Sequence, residues 1–514
     1  MKRVFLYFSI ALLTILVGCS DGDFLSDLGG GKKIYYTTID GKKVQFGPLS
    51  GSFDAVLVSN TYDKDQGCLT FDEKVTEIGE FAFFSCENLA SITIPESIVS
   101  IGESVFYGCD NLSEFRGKYA SKDNRCLIID GCIVYFAAAG LKSYNIPDGI
   151  TSIGDWAFSS CESLTSITIP DSVTEIGKGA FYRCYSLTSV TIPDSVTWIG
   201  NSAFMDCTSL TSVTIPDSVT SIGEGAFYYC TSLTNITIPD SVTSIGEEAF
   251  GCCMNLTEFK GKFASEDSRC LIVNGKLIAF AIGCGATEYT IPDSVTEIGN
   301  SAFALCYSLN NITIPDSVTT IGKAAFLTCT RLTSITIPDS VTELGLQAFY
   351  NCTSLASVTI PGSVTEIGDY AFSHCTSLTS IIIPNSVTLI GVGAFQGCTS
   401  LTSVTIPDSV TEIGVGAFQR CISLASITIP DSVTEIGDGA FRYCTSLTSF
   451  YGKFASVDNR CLIVNGKLIE FAPAGLTEYT IPDSVTEIGE CAFYWCDSLT
   501  SVTIPDSVTE IGVG

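Results

Sequence analysis

The string Ile-Pro-Asp-Ser-Val-Thr-Glu-Ile-Gly-x-x-Ala-Phe-x-x-Cys-x-Ser-Leu-Thr-Ser returns down this chain at a step of 23 residues. Pro170, Pro193, Pro216 and Pro239 mark one run. Pro292, Pro315, Pro338, Pro361, Pro384, Pro407 and Pro430 mark another. A fixed period of this length is the signature of a solenoid, in which each turn buries its apolar face only against its neighbours. The usual link between length and domain number therefore lapses for this chain of 514 residues. Function is expected on a surface built by many turns.

Each unit can be read residue by residue. In Leu164-Thr165-Ser166-Ile167-Thr168-Ile169, apolar and polar side chains alternate, as in a short strand with one buried face. Pro170 has no ladder donor and ends it. Asp171-Ser172 makes a turn. Val173 to Ile176 gives a second alternating segment, and Gly177 breaks it by a positive φ or a close backbone approach. The following Gly-x-x-Ala-Phe-x-x-Cys reads as one helical or 3₁₀ turn, too short to be stable alone. Stacking turns each repeated position into a column. Phe158, Phe181, Phe204 and Phe227 begin one, and Cys161, Cys184, Cys207 and Cys230 begin another.

Three segments interrupt the beat. The proline step widens to 52 between Pro95 and Pro147, to 53 between Pro239 and Pro292, and to 52 between Pro430 and Pro482. The inserts, near 115–146, 259–291 and 450–481, centre on Asp130-Gly131, Asn274-Gly275 and Asn465-Gly466, dipeptides suited to a type I′ hairpin turn. They can act as braces, bends or binding knobs; the brace is favoured. Before the array, residues 32–74 read as an N-terminal β cap, with a hairpin over Lys33 to Phe46 turning at Asp40-Gly41. The array itself spans 75–514. It stops inside a unit at Gly514, so a C-terminal cap is expected beyond this sequence.

Residues 1–19 read as an export signal. Lys2 and Arg3 precede an apolar run from Val4 to Val17, shorter than a membrane span. Leu16-Val17-Gly18-Cys19 resembles a bacterial lipoprotein box, which implies cleavage before Cys19 and lipid on its thiol. Ser20-Asp21-Gly22-Asp23 resembles the acidic signal that exports lipoproteins to the surface in Bacteroides-type bacteria. Residues 20–31 form a flexible tether. The implied location is the outer membrane, surface-exposed, with contact to the bilayer only through the Cys19 lipid.

Charge removes other classes. Lys plus Arg is 26 and Asp plus Glu is 55, so 26 − 55 = −29. Nucleic-acid phosphates require the opposite sign, so no nucleic-acid partner is expected.

Taken together, Leu-x-x-Ile-x-Ile-Pro-x-x-Val-x-x-Ile-Gly-x-x-Ala-Phe-x-x-Cys resembles the BspA-like, Treponema-type leucine-rich repeats, from Val75 to Gly514. The resemblance implies a right-handed leucine-rich repeat solenoid, predominantly β, and a surface protein. Several members of that family are implicated in adhesion to host matrix, host cells or other bacteria.

No catalytic or metal constellation stands out. Of the 24 cysteines, fifteen fall in the Ala-Phe-x-x-Cys slot and are read as buried thiols, against disulfides or metal. No C-x-x-C motif exists, and His374 is the one histidine, read as a surface residue. Gly29 to Lys33 is linker, not a phosphate loop. The column of Asp171, Asp194, Asp217 and Asp240 is a solvated face that could attract calcium. Its Asp-Ser-Val strings resemble O-glycan acceptors of Bacteroides, although serines such as Ser172 could instead hydrogen-bond inside the turn. The regular Thr165, Ser166 and Thr168 positions form a uniform polar sheet.

Variation concentrates between Phe and Cys and just after Cys. There stand Tyr182, Arg183, Tyr185, Met205, Tyr228, Tyr229, Tyr307, His374, Arg420, Arg442 and Tyr443, rich in the aromatic and arginine side chains of interface hot spots. This ridge is the candidate ligand site. The expected function is an adhesin-like scaffold for protein or glycan ligands at the cell surface, without cofactor, metal or enzymatic activity. The alternative is a structural or envelope-assembly lipoprotein with no host ligand.

Overall fold

The computed structural model describes residues 29–46, 52–117 and 119–512. The signal peptide, Cys19, most of the tether and Gly514 lie outside the described residues. The chain divides into two compact units: Met1–Cys253 with Lys260–Lys262, and Met254–Phe259 with Phe263–Gly514.

Both units are β-solenoids built from the same turn. In the first, Ser166–Thr168, Ser189–Thr191 and Ser212–Thr214 pair in parallel, residue for residue at the 23-residue step. Ile167 and Val190 point inward from this face, while the flanking serines and threonines are exposed. A second parallel ladder joins Glu175–Ile176 to Trp198–Ile199, Ser221–Ile222 and Ser244–Ile245. Between the faces, the amide of Val173 donates to the Pro170 carbonyl at 3.0 Å and closes the corner. The second unit repeats both ladders, for example through Ser334–Thr336 on Ser357–Thr359 and Glu366–Ile367 on Leu389–Ile390.

The third face departs from the sequence reading. It is not a helical or 3₁₀ turn. Gly179, Phe181 and Arg183 donate their amides forward to the carbonyls of Asn201, Ala203 and Met205, at 2.7–2.9 Å. The residues between them bond locally: Tyr182 donates to Gly179 O and Cys184 to Phe181 O. Two of these three donors, Gly179 and Arg183, sit at φ 58, and the same two slots are left-handed in other repeats, including Ser202, Asp206, Tyr370 and His374. The left-handed residue is not Gly177. That glycine serves close approach, since a Cβ there would come within 2.7 Å of the Gly154 carbonyl carbon.

The core is the set of stacked columns. Phe158, Phe181, Phe204 and Phe227 are fully buried, with ring centroids 5.0–5.2 Å apart. Phe303 to Phe441 repeat the stack in the second unit, with ring planes nearly parallel throughout. Most column cysteines donate the thiol to the phenylalanine carbonyl of the preceding turn, as Cys184, Cys207 and Cys230 do to Phe158, Phe181 and Phe204 at 3.2 Å, whereas Cys86 donates to Gln45 O. Cys161 is buried in the same column.

Two local features sharpen the expectations for the ends and inserts. The N-terminal sheet contains a hairpin, but it is Leu57–Asp63 on Gln66–Phe71. Lys33–Thr38 is a single strand between Gln66–Phe71 and Leu89–Ile94, antiparallel to both. The chain after Asp40-Gly41 does not pair back; it buries Val44, whose amide donates to the Tyr36 hydroxyl. The insert hairpins form as expected, turning at Asp130 (φ 49) and Gly131 (φ 80) in the first. Their return strand enters the second ladder: Cys132–Phe136 pairs in parallel with Ser152–Ile153, and Lys467–Phe471 with Glu487–Ile488.

Candidate functional site

The ridge lies along the third face, and the backbone alternation places it. In most Phe-x-x-Cys segments Phe and Cys enter the core and the two residues between them reach the surface, although Ala304, Leu305 and Ser373 are buried. The second of the pair is left-handed in Arg183, Asp206, Tyr229, His374, Arg420 and Tyr443, with φ of 58–66. Left-handed backbone at a non-glycine residue costs on the order of 1 kcal/mol, supported here by the forward amide bond.

The ridge side chains lean on one another. Tyr182, Arg183, Tyr185, Met205, Tyr228, Tyr229, His374, Arg442 and Tyr443 are half-buried, whereas Tyr307 and Arg420 are exposed. The Arg183 guanidinium lies 5.0 Å from the centre of the Tyr182 ring and 3.6 Å from the Asp206 carboxylate. Tyr182 meets Trp156 edge-on at 5.4 Å. Tyr228 packs on Tyr229 at 5.4 Å and accepts the Cys252 thiol at 3.4 Å, and its burial pushes the phenol above its usual range. His374 meets Tyr350 at 5.5 Å. Arg420 lies 5.0 Å from the Tyr443 ring, which also contacts Tyr494 and Trp495.

Two groups thus gather in separate units, one around Tyr182 and Arg183, the other around Arg420 and Tyr443. Met205 and Tyr307 have no ring partner among these contacts. Sequence reasoning missed Trp156, Tyr494 and Trp495, although Tyr494-Trp495 fill the Phe493-x-x-Cys496 slot and are 45% and 52% exposed.

The arrangement is suited to contact. Among the described residues, no group of three or more His, Cys, Asp or Glu side chains converges as a metal site, and Asp171, Asp194, Asp217 and Asp240 are exposed. Burial pushes column thiols up, Cys398 to about 12. The adjacent Cys252 and Cys253 divide between ridge and column, with Cys253 on the Phe227 carbonyl at 3.3 Å. Insert cysteines Cys126, Cys270 and Cys461 each meet a tyrosine hydroxyl, of Tyr144, Tyr289 and Tyr479, at 3.1–3.2 Å. In the Asp-Ser-Val corners, Ser195 and Ser218 donate to the valine carbonyl of the preceding turn, not within their own turn. Ser172 is an exception, its hydroxyl buried without a partner. Among the described residues, no helix is long and apolar enough to cross a membrane.

A family model described as BspA type leucine rich repeat region matches residues 62–122, 134–259, 278–391, 365–463 and 469–514. No curated protein matches the sequence. Among solved structures, a leucine-rich repeat protein from Eubacterium ventriosum is 28% identical, with a TM-score of 0.52, covering 62% of this chain and 94% of its own. A leucine-rich repeat protein from Bacteroides ovatus is 33% identical, with a TM-score of 0.45, covering 75% and 94%. A leucine rich cell surface protein from Faecalibacterium prausnitzii is 30% identical, with a TM-score of 0.44, covering 76% and 86%.

Proposed function

The chain belongs to the BspA-type leucine-rich repeat family, and from that premise we propose that it is a lipid-anchored binding scaffold, displayed at the cell surface, that holds protein or glycan ligands on its third-face ridge. The family is typical of bacterial surface proteins. The Lys2-Arg3 start, the apolar run and Cys19 supply the anchor and the export route. The observation that carries the ligand reading is the ridge itself. The scaffold columns keep Phe and Cys nearly constant, while the two outward slots between them gather tyrosine, tryptophan and arginine in packed, half-exposed groups. Such side chains, already ordered by stacking, lose little entropy on contact.

The test is a pull-down with the mature chain against host matrix proteins and a glycan array, repeated with Tyr185→Ala and with Tyr494→Ala/Trp495→Ala. These changes leave the core columns intact. Loss of a ligand by at least tenfold, with an unchanged circular dichroism spectrum, supports the ridge. Undiminished capture by both variants rejects it. Protease shaving of intact cells tests display: full protection of the chain would favour an inward-facing, envelope-assembly role.

A further inference from the structure

A cavity of about 350 Å³ opens beside the first insert, where the hairpin separates the turn at Ile101–Ser104 from the turn at Gly154–Trp156. Glu80, Glu103, Asp130 and Asp155 are among its lining residues, and among the described residues no lysine or arginine lines it. Ile129, Val134 and Trp156 supply apolar surface. The size suits a small side chain or ligand. The nearby cation Lys178 sits 5.5 Å from the centre of the Trp156 ring, and Lys178 donates its backbone amide to Asp155 Oδ1.

The third insert shows which side chain the chain carries at the equivalent position. There Lys467 stands where the first insert has Cys132: each opens the return strand, and each lies against the next turn's glycine. A Cβ on Gly489 would meet Lys467 Cε at 3.1 Å, and one on Gly154 would meet Cys132 Sγ at 3.1 Å. The Lys467 ammonium pairs with Glu487 at 2.5 Å. That bond, with the fields of Glu487, Asp438 and Glu490, holds the ammonium above its ordinary range. Asp438 and Glu490 occupy the positions of Glu103 and Asp155. Lys276 takes the same slot in the second insert and pairs with Glu297. The first insert alone keeps the carboxylates while replacing the lysine by cysteine and its glutamate partner by Ser152.

We propose that this cavity is a binding site for a primary alkylammonium group supplied from outside the chain, a lysine side chain of a polypeptide or a free amine. The ammonium takes the place that Lys467 fills in the third insert, with Glu103 and Asp155 facing it and Trp156 and Val134 beside its methylenes. The site shares Trp156 with the ridge proposed above, but its test uses Cys132, Glu103 and Asp155 and none of the ridge variants, so either reading can fail without the other.

The test is calorimetric titration of the full chain with n-butylamine, with n-butanol as the neutral control, and with a short peptide carrying one lysine. Saturable binding of the amine but not the alcohol is expected, weakening as salt rises. Tighter binding of the peptide assigns the site to polypeptide lysines; equal binding assigns it to free amines. Cys132→Lys installs the chain's own ammonium and should lower amine affinity at least tenfold. Glu103→Gln/Asp155→Asn should do the same without filling the cavity, and decides the matter if Cys132→Lys misfolds. Amine binding no stronger than that of butanol, or undiminished in a folded variant, overturns the proposal.

Discussion

The indole of Trp156 lies over Gly179, one repeat further along, so closely that a Cβ on the glycine would come within 2.7 Å of Cδ2 and nearer still to Cε3 and Cζ3. Tyr370 covers Gly393 in the same way, and His374 covers Gly397. In these three pairs the ring folds across the backbone of the next turn, where a Cβ would collide with it; where rings stack face to face instead, as Phe84 does on Tyr107, both turns carry one.

Gly179→Ala is expected to destabilise the first unit by about 2–5 kcal/mol, combining left-handed strain with overpacking against the ring. Gly225 has the same φ of 58 but nothing closer than 3.6 Å, so Gly225→Ala should cost only the strain, about 1–2 kcal/mol. Urea midpoints of the two variants, and of Gly179→Ala combined with Trp156→Gly, check this. Equal costs for the two alanines would remove the ring from the account.

Gln347→Gly should stabilise the second unit by about 1 kcal/mol. Gln347 has φ 57, in the slot where other repeats carry Gly179, Gly225 or Gly393. In a helical turn the same change would destabilise by roughly 0.5–1 kcal/mol. The sign of the shift in thermal midpoint therefore distinguishes the alternating backbone from a helix.

Glu470 makes the second unit sensitive to pH. Its side chain is 6% exposed, and it accepts the Phe441 amide at 3.3 Å, the donor that in other turns goes to the following turn's alanine carbonyl. Burial pushes the carboxyl up to about 8, with the Phe441 amide and the Arg442 charge opposing and Asp438 adding to the rise. Cys444 and Cys496 also face it. A raised carboxyl means that the folded state holds its proton after the unfolded state has released it. Stability should thus fall as pH climbs from about 4.5 to about 8, and level off above. Glu470→Gln keeps an acceptor for the amide and should remove that slope. Hydrogen exchange at Phe441 and Phe471 across this range is the measurement; an unchanged slope in the variant would assign the effect elsewhere.

Thiol labelling at pH 8 should separate two classes of cysteine. Cys207, Cys230, Cys375 and Cys398 are fully buried and donate to backbone carbonyls. They should resist labelling until the chain is unfolded, since the thiolate that reacts is disfavoured by burial. Cys284 and Cys491 are only half-buried and should label first. Peptide mapping after brief alkylation reads the result, and early labelling of Cys207 would contradict a closed column.

Much of this protein is determined by sequence alone, because identical units stacked at one step leave few choices. The 23-residue period sets the columns, the alternation in Ser166-Ile167-Thr168 sets which side chain enters, and Asp130-Gly131 and its equivalents set the hairpins. The variable slots between Phe and Cys locate the ridge, and by the same rule would have included Tyr494 and Trp495. Tertiary structure decided what depends on the neighbouring turn. The third face is not helical because the amides of Gly179, Phe181 and Arg183 find their carbonyls 22 residues ahead, on the next turn. Ser195 bonds backward to Val173 for the same reason. The cavity beside the first insert gathers Glu80, Glu103, Asp130 and Asp155 from several turns. Each of these outcomes rests on partners distant in sequence and a few ångströms away in space, which local patterns do not encode.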